Sequence, residues 1–549
     1  MEVIKTLFQE APSEWKKALT VAGAAGIGNA AILGIINRGA SIASSATPLL
    51  AFRLFILFAL CMLAFYFGKR YSLIQASVTV EEMVKKRLLR VANKIRNAEL
   101  IVIENLGRGD LYTKVAQDTS LVSQSGLILV NAAQQSFVLL FCLLYIAWLS
   151  VLAFAATLVC IGIGVVIYTR HAGLLQSLLH QLGVKEAEMI DDLGHVVDGF
   201  KEIRLNQAKN DAVFATLART CEGVRELKVK AQVCFCVDIM FSDLFFYSLL
   251  AVVVFLLPRL VPAYGAIVLM ITAAILFIIG PLQMVVQAAP VFQRAKTALE
   301  NLQELEGRLD RALAVGASNG QPAENYKDFG SISLQRAGFS YTSEGGEAFS
   351  VGPLDLTIER GELVFVIGGN GSGKTTAIKL LTGLYAPQYG ALKVDDRVVD
   401  RANVQAYREL YSTVFGEFHL FDRLYGLEGV DSERVKGILK KLELDGKTSF
   451  ENGRFTNTNL STGQRKRLAL AVCLLEDKEI LVFDEWAADQ DPHFRKYFYE
   501  VVLSELKAQG KTVIAVTHDE HFWHVADRII KMEYGAIADD HRVREGSFA

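Results

Sequence analysis

Apolar and polar positions are distributed very differently in the two halves of this chain. In the first half, long apolar runs recur with few breaks, and 18–37, 119–169 and 260–293 hold no charged side chain. A helix needs about 20 apolar residues to cross the core of a bilayer. The 51 residues of 119–169 therefore predict two helices joined by a short turn. Six membrane spans are predicted in all, at roughly 18–37, 51–68, 127–147, 149–169, 239–257 and 264–288. Residues 300–321 turn charged and then rich in Gly, Ala and Ser, as a helix leaving the last span and then a linker would. Beyond them the pattern changes. The runs 361–368, 479–483 and 511–517 read as buried strands between helical stretches, which predicts a parallel α/β domain. The expected layout is a helical membrane domain over 1–312, a linker over 313–325 and a soluble domain over 326–549.

Composition and charge sharpen this division. Of 549 residues, 52% are apolar and 21% charged, with mean hydropathy +0.29. Residues 1–290 carry 45 of the charged side chains and 291–549 carry 71. The net charge of −2 splits into +5 and −7, which offers no basic surface for nucleic acid. One set of loops between spans holds only Arg38, Arg53 and Arg259. The other set gathers Lys16, Lys17, Lys69, Arg70, Lys85, Lys86, Arg87, Arg90, Arg170, Lys201 and Arg204. By the positive-inside rule the basic set is cytoplasmic, with both termini and the soluble domain. Glu2, Glu10 and Glu14 precede the first apolar run, unlike a secretory signal. The seven cysteines form no CxxC pair and most lie in apolar runs, so neither a disulfide framework nor a zinc site is expected.

Two features of the membrane half invite a role. The loops 69–126 and 170–238 are long and helical in pattern, and Gly199-Phe200-Lys201-Glu202-Ile203-Arg204-Leu205 mixes apolar and charged residues mid-loop. It reads either as an element coupling the two halves or as a solvated helix face. Asp238 and Asp243 open the fifth span. A carboxylate at that depth either caps a helix near the interface or faces a substrate cavity.

The soluble half carries sharper chemistry. Gly368-Gly369-Asn370-Gly371-Ser372-Gly373-Lys374-Thr375 matches GxxxxGK[ST] between a strand and a helix, with Thr376 next. Glycines let the backbone wrap phosphates, and successive N–H groups at a helix N-terminus point at the anion. Lys374 is the expected β/γ-phosphate ligand and Thr375 an Mg²⁺ ligand. Asp484 ends a predicted strand 110 residues after Lys374, where a second Mg²⁺ ligand belongs, and Glu485 beside it is placed to polarise water. His518, His521 and His524 have the spacing of an amphipathic helix as much as of a metal site.

Leu460-Ser461-Thr462-Gly463-Gln464 opens a helix before that strand. It resembles the LSGGQ signature of ATP-binding cassette (ABC) proteins, with Thr462 in place of a glycine. The order of P-loop, signature, Asp484-Glu485 and a strand-end His518 is the family order. Six spans followed by one nucleotide-binding domain resemble a half-transporter exporter along the whole chain. The resemblance implies that Tyr341 stacks on adenine, that His518 contacts the γ-phosphate and that Asp491 is the D-loop aspartate. It implies that Ser461, Gly463 and Gln464 complete the ATP site of a second copy, so the working unit is a homodimer in the lipid bilayer. Glu485, His518 and Lys374 are then the catalytic set, with ATP and Mg²⁺ as cofactors.

Two departures from the common exporter stand out. Gly416, in Thr413-Val414-Phe415-Gly416-Glu417-Phe418-His419-Leu420-Phe421, occupies the place of a family glutamine, and Glu417 is the candidate replacement on Mg²⁺. After Glu485 the chain reads Trp486-Ala487-Ala488-Asp489-Gln490-Asp491-Pro492 rather than the usual Pro-Thr-Ser-Ala-Leu-Asp. The runs DEWAADQDP, FGEFHLFD and GQRKRLAL are similar to those of bacterial cyclic-peptide exporters, which carry siderophore precursors, lipopeptide toxins and lasso-type microcins. The resemblance implies ATP-driven export of a peptide-like cargo across a bacterial inner membrane, and it leaves periplasmic or efflux partners open. A lipid or multidrug exporter is the alternative. A non-transporting regulator is disfavoured because Glu485 and Ser461 are both retained.

Overall fold

The structure, a computed structural model, describes residues 12–42, 48–106, 108–260, 265–314, 326–341, 349–427 and 429–543. Most of the expected linker, 315–325, lies outside them. By packing, the chain forms two compact units, one of residues 1–92 with 109–305 and one of residues 93–108 with 306–549.

The first unit is helical. Its elements are α1 (Pro12–Ile42), α2 (Pro48–Arg96), α4 (Arg108–Leu149), α5 (Val151–Asp198), α6 (Phe200–Leu205), α7 (Gln207–Ala251) and α8 (Gly265–Ala314); the last turns of α2 and α8 belong to the second unit. Among the described residues, five helices are long and apolar enough to cross a membrane: Thr20–Ala40, Pro48–Arg96, Val115–Leu149, Gln207–Leu256 and Ile267–Arg311. A shorter apolar segment, Val151–Ile167, stands at the remaining predicted span. The helices α2, α5, α7 and α8 have 49, 48, 45 and 50 residues. At about 1.5 Å per residue each runs ~70 Å, more than twice a bilayer core of ~30 Å. They therefore continue well past any membrane they cross.

The predicted turn inside 119–169 falls at Ser150. Its backbone is extended and its hydroxyl accepts from Ala153 N at 3.3 Å, which starts α5. The end of α7 widens to a π-helical turn over Val252–Leu256, just before Pro258. A proline ring lacks an N–H and collides with the carbonyl four residues earlier, and the wider turn relieves both problems. Leu33, Val138, Ile146, Ala153, Phe246 and Ile275 form a core between α1, α4, α5, α7 and α8, while Phe55, Trp148, Val151 and Leu269 face outward. That outward apolar surface suits a lipid solvent.

Asp243 sits deep within α7 and does not cap it; Asn206 is the cap residue. Its Oδ1 accepts from Gln283 Nε2 at 2.7 Å and so ties α7 to α8. The cap reading is therefore corrected: the carboxylate is placed by a cross-helix hydrogen bond. The side chain of Asp238 lies outside those described. In α6, Ile203 is buried, whereas Phe200 is 59% and Leu205 89% exposed.

The second unit contains a six-stranded sheet and a four-stranded sheet. Its elements include β1 (Ser331–Ser340), β2 (Ser350–Glu359), β3 (Leu363–Ile367), α9 (Lys374–Leu381), β4 (Tyr389–Val394), β5 (Arg397–Val398), β6 (Tyr411–Val414), α12 (Thr462–Glu476), β9 (Ile480–Asp484), α13 (Pro492–Tyr497), β10 (Thr512–Val516), β11 (Arg528–Glu533) and β12 (Ala536–Arg542). Strands β7 and β8 form a small hairpin of Phe450–Glu451 and Arg454–Phe455, and α10 and α11 are Val404–Arg408 and Ser432–Lys441. The larger sheet has the order β12-β11-β3-β10-β9-β6, all neighbours parallel except β11 and β12. The smaller sheet, β2-β1-β4-β5, is antiparallel. Strands β3, β9 and β10 are buried along their whole length, as continuous apolar runs require. Their carboxyl ends bring the P-loop, Asp484 and Thr517 to one edge, where ligands bind in open parallel sheets.

The short helix α3 (Leu100–Leu106) also belongs to this unit. Leu100 and Ile101 pack on the apolar cluster that includes Tyr341 and Tyr385. Glu104 pairs with Lys379 at 2.8 Å and accepts a short hydrogen bond from the Tyr385 hydroxyl, and Glu99 pairs with Arg408 at 3.2 Å. Burial, with the Glu104 hydrogen bond next, pushes the Tyr385 phenol well above its ordinary range, so it remains a donor.

Candidate functional site

The P-loop follows β3 and ends in the first turn of α9. Gly368 has φ 146°, and a Cβ there would lie 2.3 Å from the Met532 carbonyl oxygen, so only glycine fits. Gly373 caps α9 with φ 96°. Lys374 is buried, and its Nζ donates to the carbonyls of Gly368 at 2.9 Å and Gly369 at 3.0 Å. Its ammonium also lies 3.7 Å from Glu485 Oε1. Thr375 Oγ1 donates to Asp484 Oδ2 at 3.0 Å. Asp484 Oδ1 and Ser372 Oγ are buried without a hydrogen-bond partner among the described residues. The unpartnered Asp484 oxygen and the Thr375 hydroxyl bonded to the same carboxylate form a hard oxygen donor set, which suits Mg²⁺. Burial raises the Asp484 carboxyl above its usual range, with the Thr375 hydrogen bond opposing.

Glu485 lies just past β9 in the left-handed region, with φ 51° and ψ 35°. His518, just after β10, places Nε2 3.2 Å from Glu485 Oε1. Lys374, Asp484, Glu485 and His518 thus converge although 144 positions separate the first from the last in the sequence. Tyr341, at the end of β1, bonds Thr376 Oγ1 at 3.0 Å through its hydroxyl, and its ring lies 6.4 Å from that of Phe349. Asn370 and Gly371 lie within the same loop.

The signature residues lie on α12. Ser461 is its N-cap in a reciprocal capping box with Gln464. Thr462 occupies the first helical position, which needs no glycine, so its departure from the signature costs nothing locally. Gly463 is different: a Cβ there would lie 2.8 Å from the Asp489 carbonyl oxygen. Asp491 caps α13, accepting from Phe494 N at 3.0 Å, and pairs with Arg467. The Phe494 N–H, with the Arg467 charge a lesser contributor, holds its carboxyl below the usual range.

Gly416 passes the end of β9, and a Cβ there would lie 3.7 Å from the Asp484 carbonyl oxygen. Glu417 is exposed and makes no hydrogen bond or ion pair among the described residues, so the structure does not join it to Asp484 and Thr375. Two contacts had no signal in the sequence pattern. Glu104 reaches Tyr385 from 281 positions away, and Lys466 reaches the Glu485 carbonyl.

This arrangement defines a P-loop nucleotide hydrolase fused to a polytopic helical membrane domain. The profile of the family described as ABC transporter matches residues 351–488. The ATP-binding protein SyrD of Pseudomonas syringae pv. syringae is 33% identical over 498 residues, covering 89% of this chain and 88% of that protein. The arginine transport ATP-binding protein ArtM of Bacillus subtilis is 32% identical over 209 residues, 35% of this chain and 85% of ArtM. A solved bacterial Atm1-family ABC exporter with ATP bound shares the fold at TM-score 0.77 and 17% identity, covering 96% of this chain and 93% of its own. The chain belongs to the ABC transporter family: it is an ATP-binding transporter ATPase with the fold of a half-exporter.

Proposed function

We propose that two copies of this chain form an exporter that moves a cyclic or modified peptide out of the bacterial cytoplasm, using ATP. Beyond the family itself, the observation that carries the cargo class is the set of runs DEWAADQDP, FGEFHLFD and GQRKRLAL. The first and third sit against each other in the folded domain, with Trp486 Nε1 donating to the Lys466 carbonyl at 2.8 Å. In the helical unit, Cys160, Ile161, Phe241, Phe245, Leu249 and Leu282 line an apolar pocket suited to the nonpolar part of such a cargo.

Each residue has a role in this reading. The P-loop N–H groups and Lys374 bind the β- and γ-phosphates. Thr375 and Asp484 would hold Mg²⁺, which neutralises phosphate charge when bound. Glu485 orients the attacking water and His518 steadies the Glu485 carboxylate and the γ-phosphate. Ser461, Gly463, Gln464 and Asp491 serve the site shared with the second copy. Phosphoryl transfer is mostly positioning and electrostatic stabilisation, which the P-loop N–H groups and the buried Lys374 ammonium supply. The exposed Phe200 and Leu205 of α6 support its reading as a coupling element.

Tyr341→Ala should raise the KM for ATP about tenfold, as loss of a base-stacking surface does, while kcat stays within about threefold. Steady-state ATPase assays over a range of ATP concentrations check this. Cargo class is tested by ATPase stimulation of the reconstituted protein with cyclic peptides, siderophore precursors and lipids. Stimulation by peptides alone is expected; stimulation by lipids alone would favour the lipid or multidrug reading.

A further inference from the structure

Lys466, on the second turn of α12, is buried. Its Nζ donates to the Glu485 carbonyl oxygen at 2.8 Å and pairs with Asp489 Oδ2 at 2.7 Å. The adjacent Trp486 is 1% exposed, its ring 4.2 Å from that of Phe498 and stacked on it. Its indole N–H donates back to the carbonyl of Lys466. Two hydrogen bonds thus cross between the same two segments: Lys466 side chain to Glu485 main chain, and Trp486 side chain to Lys466 main chain.

The peptide that these bonds hold follows an unusual backbone conformation. Glu485 stands at φ 51°, ψ 35°, which a non-glycine residue adopts only when its surroundings impose it. Its own N–H donates to Val516 O at 3.2 Å, and its carbonyl is held by Lys466. With both ends of the residue fixed, the carboxylate is aimed at Lys374 and His518.

We propose that Lys466 is a positioning residue for ATP hydrolysis, clamping the Glu485 carbonyl so that the signature helix and the water-orienting carboxylate move as one body. This rests on the role given to Glu485 above. The Lys466 ammonium is spent on the Glu485 carbonyl and the Asp489 carboxylate, and so acts through Glu485. Its chemistry is that of a buried ammonium, which needs an acceptor and finds a main-chain carbonyl at the site it organises.

Lys466→Met removes the clamp and keeps the aliphatic stem. The expected result is a fall in kcat of about tenfold to a hundredfold, the scale of a misplaced catalytic group, with the KM for ATP within about threefold. Lys466→Arg keeps a donor and should recover much of that loss. Asp489→Asn removes only the ion pair and should leave kcat within about twofold. In a Glu485→Gln background, Lys466→Met should cause no further fall, since both act through one carboxylate. Unchanged kcat in Lys466→Met would overturn the proposal, as would equal losses in Lys466→Met and Asp489→Asn. A Lys466→Met protein that no longer binds ATP would also count against it, because the role would then be structural. Should Glu485→Gln alone keep normal turnover, the failure lies in the role of Glu485 rather than in the clamp.

Discussion

Glu485→Gln is expected to bind ATP normally and to hydrolyse it about 10² to 10⁴ times more slowly, the usual contribution of a positioned general base. The amide keeps the size of the side chain and can still meet His518 and Lys374, which lie 3.2 and 3.7 Å from Oε1. It cannot accept a proton or hold water as a carboxylate does. The P-loop and Asp484 are untouched, so ATP affinity should stay within about threefold. Steady-state ATPase with equilibrium ATP binding on the same preparation checks both halves. Near-normal turnover would move the water-orienting role elsewhere.

Lys374→Ala should abolish ATP binding rather than slow its hydrolysis. In the structure the ammonium is buried and held between the Gly368 and Gly369 carbonyls, inside the curve of the loop. Without it the loop presents N–H groups but no full positive charge to the phosphates. A loss of at least about a hundredfold in affinity is expected, ~2.7 kcal/mol. A saturating ligand stabilises the folded state by about 2.7 kcal/mol at a hundred times its Kd. The wild type should therefore melt higher with ATP, and Lys374→Ala should show no shift while keeping its unliganded melting temperature. An undiminished ATP shift would show that the loop binds without its lysine.

The parts of this protein that could be read from sequence are those where one local pattern decides the structure. Continuous apolar runs mark β3, β9 and β10, and the uncharged stretch 119–169 is too long for one span, so it has to turn; it does so at Ser150. The P-loop is legible because Gly368, Gly371 and Gly373 all take positive φ within one short stretch, which a run of glycines announces. Contacts made across the fold are not legible. The run Leu100-Ile101-Val102-Ile103-Glu104 carries no periodic signal for docking on Lys379 and Tyr385, whereas the mixed pattern of Gly199–Leu205 stands out. Asp243 reads as a cap because it stands near an apolar boundary, whereas its position is set by Gln283 on another helix. Gly416 is visible as a departure, but whether Glu417 turns toward Asp484 depends on loop geometry that no spacing encodes. Lys466 is hidden within the signature run, since its partner is a main-chain atom nineteen positions away.

If ATP turnover in this chain moves a peptide-like cargo, inside-out vesicles containing the purified protein should take up a labelled cyclic peptide. The uptake is measured with ATP, with ADP, and with the Glu485→Gln variant. Accumulation is expected with ATP and wild-type protein only. Peptide entry that is equal under all three conditions, or steady ATP hydrolysis with no peptide movement while a lipid is transported, would contradict peptide export.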